Sequence, residues 1–429
     1  MELYAKVLNY TMPVFLLLIL VEQLAARRMG KQVNRSLDSV SSISSGMTNV
    51  IKDVLGLTIS LLTYDWLVGH VAIFKINATW LTYAVTILVI DFKGYWVHRW
   101  EHRVNILWNR HVIHHSSEEF NLSCALRQTV STVFDYFAFL LLPAAVLGVP
   151  VEVMAVVAPI HLFLQFWYHT RLIGKMGVLE KIIVTPSHHR VHHAINPIYM
   201  DRNFGQLLIL WDKWFGTFQE ELEEEPCVYG ITRPARTWNP LKINFQHFWL
   251  LLRDAYHARS WKDKLRIWFM PTGWRPEDVK QRYPVYTIAD LQAYAKYDPP
   301  GSSGFSIWAW TQLLVCYGLL IYLFAHLVTI GFSHAAVYGG FLVLSIYAFT
   351  ELMDRNPHAW AFELVKATVG LGIIYWLGDW FGASQQYPWL TPLVGAYQVL
   401  SFFVSAYFSA AIRAGQPLPE AESVHQHGA

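Results

Sequence analysis

Apolar residues in this chain gather into long runs, and nine windows approach the length of about 20 mostly apolar residues that crosses a bilayer as a helix. They fall at residues 7–25, 51–73, 79–97, 131–148 and 151–170, and again at 305–330, 334–351, 361–382 and 390–412. Between the two blocks, residues 171–304 are polar and rich in Trp, Pro and charge, and they include EELEEEP and YDPPGSSG. That stretch reads as an aqueous cap running into a flexible linker. The pattern predicts an all-α, polytopic membrane helical bundle of about nine spans. It divides into N-terminal anchor spans (1–75), a second region of three spans with dense histidine (76–235), a cap and linker (236–304), a four-span block (305–414) and a disordered tail (415–429).

Composition sharpens this. Hydrophobic residues make up 54% of the 429 and charged ones only 15%, as expected of an integral membrane protein. The net charge of +2 is small, and no basic tract is interleaved with aromatics, which sets nucleic acid aside as a partner. Cys124, Cys227 and Cys316 are far apart and form neither a disulfide framework nor a thiolate metal site. The N-terminus has no small-residue cleavage site and reads as a retained anchor. Arg27, Arg28, Lys31 and Arg35 follow the first run, and the positive-inside rule places them in the cytoplasm. Counting spans from there puts every histidine cluster on the cytoplasmic face.

Nine of the nineteen histidines fall in two windows, 98–115 and 188–193. In HRWEH, His98 and His102 are spaced i, i+4 and share a helix face. In HVIHH, His111 stands i+3 from His114 and i+4 from His115, and HRVHH repeats this with His189, His192 and His193. Eight imidazoles exceed the four that close one zinc shell, so two metals are implied. Imidazole alone suits Zn, Cu, Fe or Ni and does not choose among them. HExxH, the metalloprotease signature, is absent, since Arg99 follows His98. Glu118, Glu119, Asp201, Asn203 and Asp212 are the nearest polar residues able to orient a ligating imidazole. Asp91 lies inside the third run, where an acid is costly unless paired, and Lys93 is its expected partner.

HxxxH, HxxHH and a later HxxHH beside apolar runs resemble the fatty acid hydroxylase and sterol desaturase superfamily of membrane di-iron enzymes. HVIHHSSEEFNLSCALRQT, QFWYHTRLIG and TPSHHRVHHAINPIYMDRNFGQLLILWDKWFGTF are most similar to its ether-lipid-cleaving branch. The resemblance is strongest over residues 90–235. It implies iron ligation by His98, His102, His111, His114, His115, His189, His192 and His193, with His169 as a ninth candidate. Of the polar residues nearest in sequence, Glu119, Asp201 and Asn203 are the candidates to support the catalytic centre by orienting its imidazoles. Two departures stand out: Gln165, where some relatives have a further histidine, and Arg103, where animal members of the branch have an acid.

The implied activity is O₂-dependent hydroxylation of a lipid C–H bond, with ether cleavage of an alkylglycerol to a fatty aldehyde and glycerol. A separate electron donor is then needed, tetrahydrobiopterin or a redox protein. The membrane would be the inner membrane of a bacterium or the endoplasmic reticulum. A sterol or fatty acyl hydroxylase or desaturase shares every ligand. A zinc-dependent hydrolase or a metal transporter are the readings from other classes. Finally, LLRDAYHARSWKDKLRIWFMPTGW has the form of an amphipathic surface segment. Packing of the cap onto the helices is the expected use of its aromatic residues, ahead of contact with the leaflet.

Overall fold

In the computed structural model, which describes residues 2–57, 59–60, 63–132, 134–135 and 137–415, the first apolar run forms helix α1 (Glu2–Arg28). The tail expected from residue 415 onward lies, apart from Gly415, outside the described residues. Next comes α2 (Ser36–Val54), a helix too polar to register as an apolar window. It is nonetheless buried on nearly all sides, and its hydroxyls are spoken for: Ser44 donates to the Val40 carbonyl, Thr48 to Ser45, Ser41 to Trp238 and Ser45 to Gln128. Bonding to carbonyls is what lets a serine-rich helix sit in an apolar bundle. Ile51 and Leu55 crowd Gly339, well inside the C-terminal bundle.

The expected span at 51–73 is therefore not one helix. Its first residues end α2, and the rest passes through β1 (Ile59–Ser60) into the short α3 (Tyr64–Val71). The chain returns along α4 (Trp80–Arg103), opened by a Thr79/Thr82 capping box. After the one-turn helices α5 (Asn105–Trp108) and α6 (Val112–His115), a second excursion begins at β2 (Phe134–Asp135), which pairs in parallel with β1. It continues through a 3₁₀ turn into α7 (Leu142–Val146) and comes back along α8 (Val151–Phe163). Two hairpins thus leave the histidine side and return to it. They meet at their tips, where the Ile73 amide donates to the Val146 carbonyl and the Tyr64 hydroxyl to that of Val149. At 13 residues, about 20 Å, α8 is shorter than the roughly 30 Å hydrocarbon core.

The cap contains α9 (Pro186–His193), α10 (Leu210–Trp214), α11 (Pro240–His257), α12 (Trp261–Arg266) and α13 (Glu277–Arg282). The C-terminal block follows as α14 (Ser303–Ala325), the one-turn α15 (Leu327–Ile330), α16 (Phe332–Met353), α17 (Ala359–Leu377) and α18 (Leu390–Arg413). Among the described residues five helices are long and apolar enough to cross a membrane: α1, α14, α16, α17 and α18. These correspond to five of the nine expected windows; the other four are the limbs of the two hairpins. The helix α4 is long enough but carries Asp91, Lys93 and a charged last turn.

The large apolar core lies in the C-terminal block with α1 and α2 packed on it. One end of this bundle faces the histidines. Trp310 in α14 donates to Ser36, Asp354 just past α16 accepts from the Trp238 amide, and Arg413 of α18 lies over Trp360 of α17.

Candidate metal centre

All nine candidate histidines converge into two adjoining groups. One contains His98, His102, His111, His115 and His192; the other contains His114, His169, His189 and His193. Within each group the potential ligand nitrogens lie within 4.8 Å of one another. Each HxxHH motif is split between the groups. His111 and His115 join the first group and His114 the second, while His189 and His193 join the second and His192 the first. Residues i and i+4 project in nearly the same direction from a helical turn and i+3 diverges from them, so one turn reaches two sites. The groups touch through His115 and His193, whose rings stack with centroids 4.2 Å apart.

Short helical turns aim these rings, and the one that carries HRVHH is capped. Thr185 and His188 form a capping box that starts α9, with Pro186 in its first turn. His188 is therefore a capping residue, its Nδ1 accepting from the Thr185 amide, and it lies outside both groups.

Four of the Nδ1 atoms are held by backbone carbonyls. His98 donates to Phe204 at 2.8 Å, His192 to Arg202 at 2.9 Å, His169 to Gln165 at 2.9 Å and His114 to Arg127 at 3.2 Å. A ring that gives its Nδ1 proton to a carbonyl presents a lone pair at Nε2. His114 and His169 are both fixed in this way, yet their Nε2 atoms face each other at 3.3 Å. Two lone pairs at that distance repel unless a cation lies between them. His169 and His189 approach to 2.9 Å at Nε2, and His193 and His189 to 3.1 Å. In the other group His98 and His111 stand at 2.9 Å, and His102 and His115 at 3.1 Å. The buried Nε2 of His192 has no hydrogen-bond partner. Burial also favours the neutral rings, pushing His114 down to about 3 and His115, His189 and His193 well below the ordinary histidine value. Neutral donors converging in a desolvated pocket fit metal ions.

The loop after α9 supplies two of the carbonyls. Asp201 (φ 57°) and Asn203 (φ 55°) adopt the left-handed conformation that Asp and Asn tolerate best among residues with a side chain. Asp201 reaches His102 Nδ1 at 3.6 Å. None of the hydrogen bonds of Asn203 goes to an imidazole. It donates to the His188 and Gln219 carbonyls and accepts from the Gln219 amide, fastening the segment whose flanking carbonyls, Arg202 and Phe204, receive His192 and His98. Asp212 accepts from the Phe204 and Gly205 amides and from Thr217. Asp91 anchors the same loop to α4 through four donors, none of them Lys93: His161, the Leu207 and Leu208 amides and the Trp211 indole. Gly94 lets this loop press on α4, since a Cβ there would collide with Gln206.

Glu118 and Glu119 do not serve as histidine partners. Glu119 is bound by Arg35, Lys296 and Arg171, while Glu118 takes the Tyr294 hydroxyl, the Tyr297 amide and Arg35. They tie the linker and the segment after α1 to the strip downstream of HVIHH. Arg127 was not anticipated in its role. Its buried guanidinium binds Asp38, Ser42 and Ser116 while its own carbonyl holds His114, so α2 positions a ring of the second group. It lay within the quoted motif, but nothing local marked it. Glu101 was also missed; it binds Arg110 and approaches His111 Nδ1 at 3.8 Å.

A cavity of about 870 Å³ opens from the first group into the cap. His102, His115, His192 and His193 form one wall, and Leu250, His247, Arg233 and Trp274 stand among the others.

The profile described as fatty acid hydroxylase matches residues 83–217, the stretch that carries all nine histidines. Alkylglycerol monooxygenase of Homo sapiens is 32% identical over 366 residues, covering 84% of this chain and 80% of that protein. The chain belongs to the alkylglycerol monooxygenase family. The same enzyme of Xenopus tropicalis is 30% identical over 359 residues, 83% of this chain and 79% of that one. Delta(7)-sterol 5(6)-desaturase ERG3B of Gibberella zeae is 27% identical over 196 residues, 41% of this chain and 56% of that protein. No solved structure matches. The protein is thus a multi-pass membrane oxidoreductase, a lipid monooxygenase whose histidine groups could hold metal.

Proposed function

We propose that the protein is a di-iron monooxygenase that hydroxylates the carbon beside the ether oxygen of an alkylglycerol. One iron is assigned to His98, His102, His111, His115 and His192, and the other to His114, His169, His189 and His193. The observation that carries this reading is the meeting of two neutral imidazole groups at the wall of one cavity, in a chain whose relatives are alkylglycerol monooxygenases. The nine rings meet at one place rather than along a path across the bundle, which disfavours a transporter.

Bound iron supplies O₂ activation, and everything else falls to the chain. The Arg202, Phe204, Gln165 and Arg127 carbonyls keep four rings oriented, and the cap shields the reacting carbon from water. In the overall reaction one oxygen atom enters the C–H bond, and two electrons and two protons reduce the other to water. The product is a hemiacetal, which separates into fatty aldehyde and glycerol. A separate reductant, tetrahydrobiopterin by the family resemblance, provides the electrons.

The proposed site faces the cytoplasm. Arg27, Arg28, Arg355 and Arg413 cluster at the histidine end of the spans, whereas the loops joining the C-terminal spans at the other end, 326–331 and 378–389, contain no Lys or Arg.

The test is incubation of the purified, ferrous-loaded protein with an alkylglycerol, O₂ and reduced pterin. Fatty aldehyde is expected, and its absence under conditions that hold two irons per chain would remove the ether-lipid assignment. A sterol is the second substrate class, favoured by the desaturase relative; oxidised sterol without aldehyde would select it.

A further inference from the structure

The helix α11 is amphipathic with its aromatic side turned outward. Asn244, His247, Leu250, Leu251 and Asp254 are buried, and His247, Leu250 and Leu251 line the cavity. The opposite stripe carries Phe245, Phe248, Trp249, Leu252 and Tyr256, with Trp249 69% and Tyr256 78% exposed. The next helix and the turn after it extend the same surface: Trp261 is 76% exposed, Leu265 69% and Phe269 76%. The aromatic residues expected to pack the cap onto the helices therefore point away from it. Large apolar side chains exposed together on two adjoining helices of a cap mark a contact surface.

We infer that this α11–α12 surface rests in the lipid leaflet that holds the spans, and that lipid reaches the cavity across it. Three observations favour lipid over a protein partner. The first is level: α11 leaves the bundle where α16 ends, with Lys242 paired to Glu351 and lying over Tyr347, both in the last two turns of that span. The second is charge. Residues 245–270 contain five basic side chains, Arg253, Arg259, Lys262, Lys264 and Arg266, against Asp254 and Asp263. Both acids are already bridged, to Arg275 and Arg266, which leaves the patch cationic towards anionic headgroups. The third is composition: Trp, Tyr and Phe beside Lys and Arg are the residues that settle at a membrane interface. Because the inner face of the same helix forms the cavity wall, a lipid held at the outer face is one helix away from the histidines.

The docking stands independently of the ether-lipid reading, whereas the delivery role rests on it. For docking, the Trp261→Cys and Phe269→Cys variants carry an environment-sensitive dye in phosphatidylcholine–phosphatidylglycerol vesicles, with Gln281→Cys on exposed α13 as control. Blue-shifted emission quenched by spin-labelled lipid is expected at 261 and 269 and not at 281. Water-like emission at 261 and 269 would overturn the proposal, as would cross-linking at 261 between copies with no lipid quenching.

For delivery, Trp249, Trp261, Leu265 and Phe269 are changed together to Ser. The KM for bilayer-borne alkylglycerol is expected to rise about tenfold, with kcat on a short-chain, water-soluble analogue and the metal content unchanged. Equal losses on both substrates would refute delivery. Dye burial without aldehyde formation from any alkylglycerol would leave docking standing and remove the substrate reading instead.

Discussion

The histidine region and the C-terminal four-helix block bury polar groups in opposite ways. Around the histidines nearly every buried charge is answered several times over: Asp91 by four donors, Arg127 by Asp38, Ser42 and Ser116. In the C-terminal block the fully buried Lys366 pairs with Glu363 and Gln312, while Gln398, also fully buried, has no partner for either side-chain polar atom. The difference teaches what each region must do. A metal site has to hold rings in fixed orientations, which takes directional bonds. A membrane bundle needs only to fill space, which apolar packing does, and it carries a few polar contacts at some cost.

The sharpest way to break the comparison is at the rings. His114→Ala and His192→Ala should each lower lipid oxidation by more than about 100-fold. Each should cost metal from its own group, read as iron per chain by elemental analysis. Loss of neither activity nor metal in both variants would show that the histidine region is merely another packed core.

Next comes the pair in the bundle. Lys366→Met alone leaves Glu363 buried without its cation and should destabilise the protein by about 3–5 kcal/mol, measured by unfolding in detergent. The double variant Lys366→Met, Glu363→Leu should recover most of that. Iron content should not change in either, and if it falls, the two regions are coupled.

Asn203→Gly sharpens the other side. Glycine accepts the left-handed backbone, so only the side-chain bonds to His188 and Gln219 are lost. Metal affinity should fall about 10- to 100-fold with little change in global stability, since the loss acts through the carbonyls that hold His98 and His192.

The smallest effect concerns pH. Burial pushes His114 to about 3 and His188 to about 4, below their unfolded value of about 6.5. Between these values the unfolded chain binds more protons than the folded one, so their contribution is full above about pH 6.5 and is lost as pH falls towards 4 and then 3. Metal-free protein should therefore unfold more readily at pH 5 than at pH 7, by thermal denaturation. His188→Gln should flatten part of that slope without removing iron.

Five of the spans and all nine candidate rings were legible in the sequence, because a bilayer span and an HxxHH turn are both local patterns. The helix α2 was not, because its serines conceal a buried helix from any hydropathy window; only their bonds to carbonyls in other segments make it compatible with the bundle. Conversely, the windows at 51–73 and 131–148 passed for spans because they are apolar, whereas their described residues fall in several elements rather than one helix. Glu119 looked like a histidine partner by proximity in sequence, but three cations from remote segments claim it.

The sequence by itself determined that this is a helical membrane protein of the fatty acid hydroxylase kind, the two-residue β1–β2 pair aside, and which imidazoles are close enough along the chain to work in pairs. Only the tertiary structure decided how those pairs divide into a group of five and a group of four, which carbonyls orient them, and which face of α11 is left without protein cover. Spacing along a helix fixes direction within one turn. The direction that one turn presents to another is set by bonds between segments far apart in the chain.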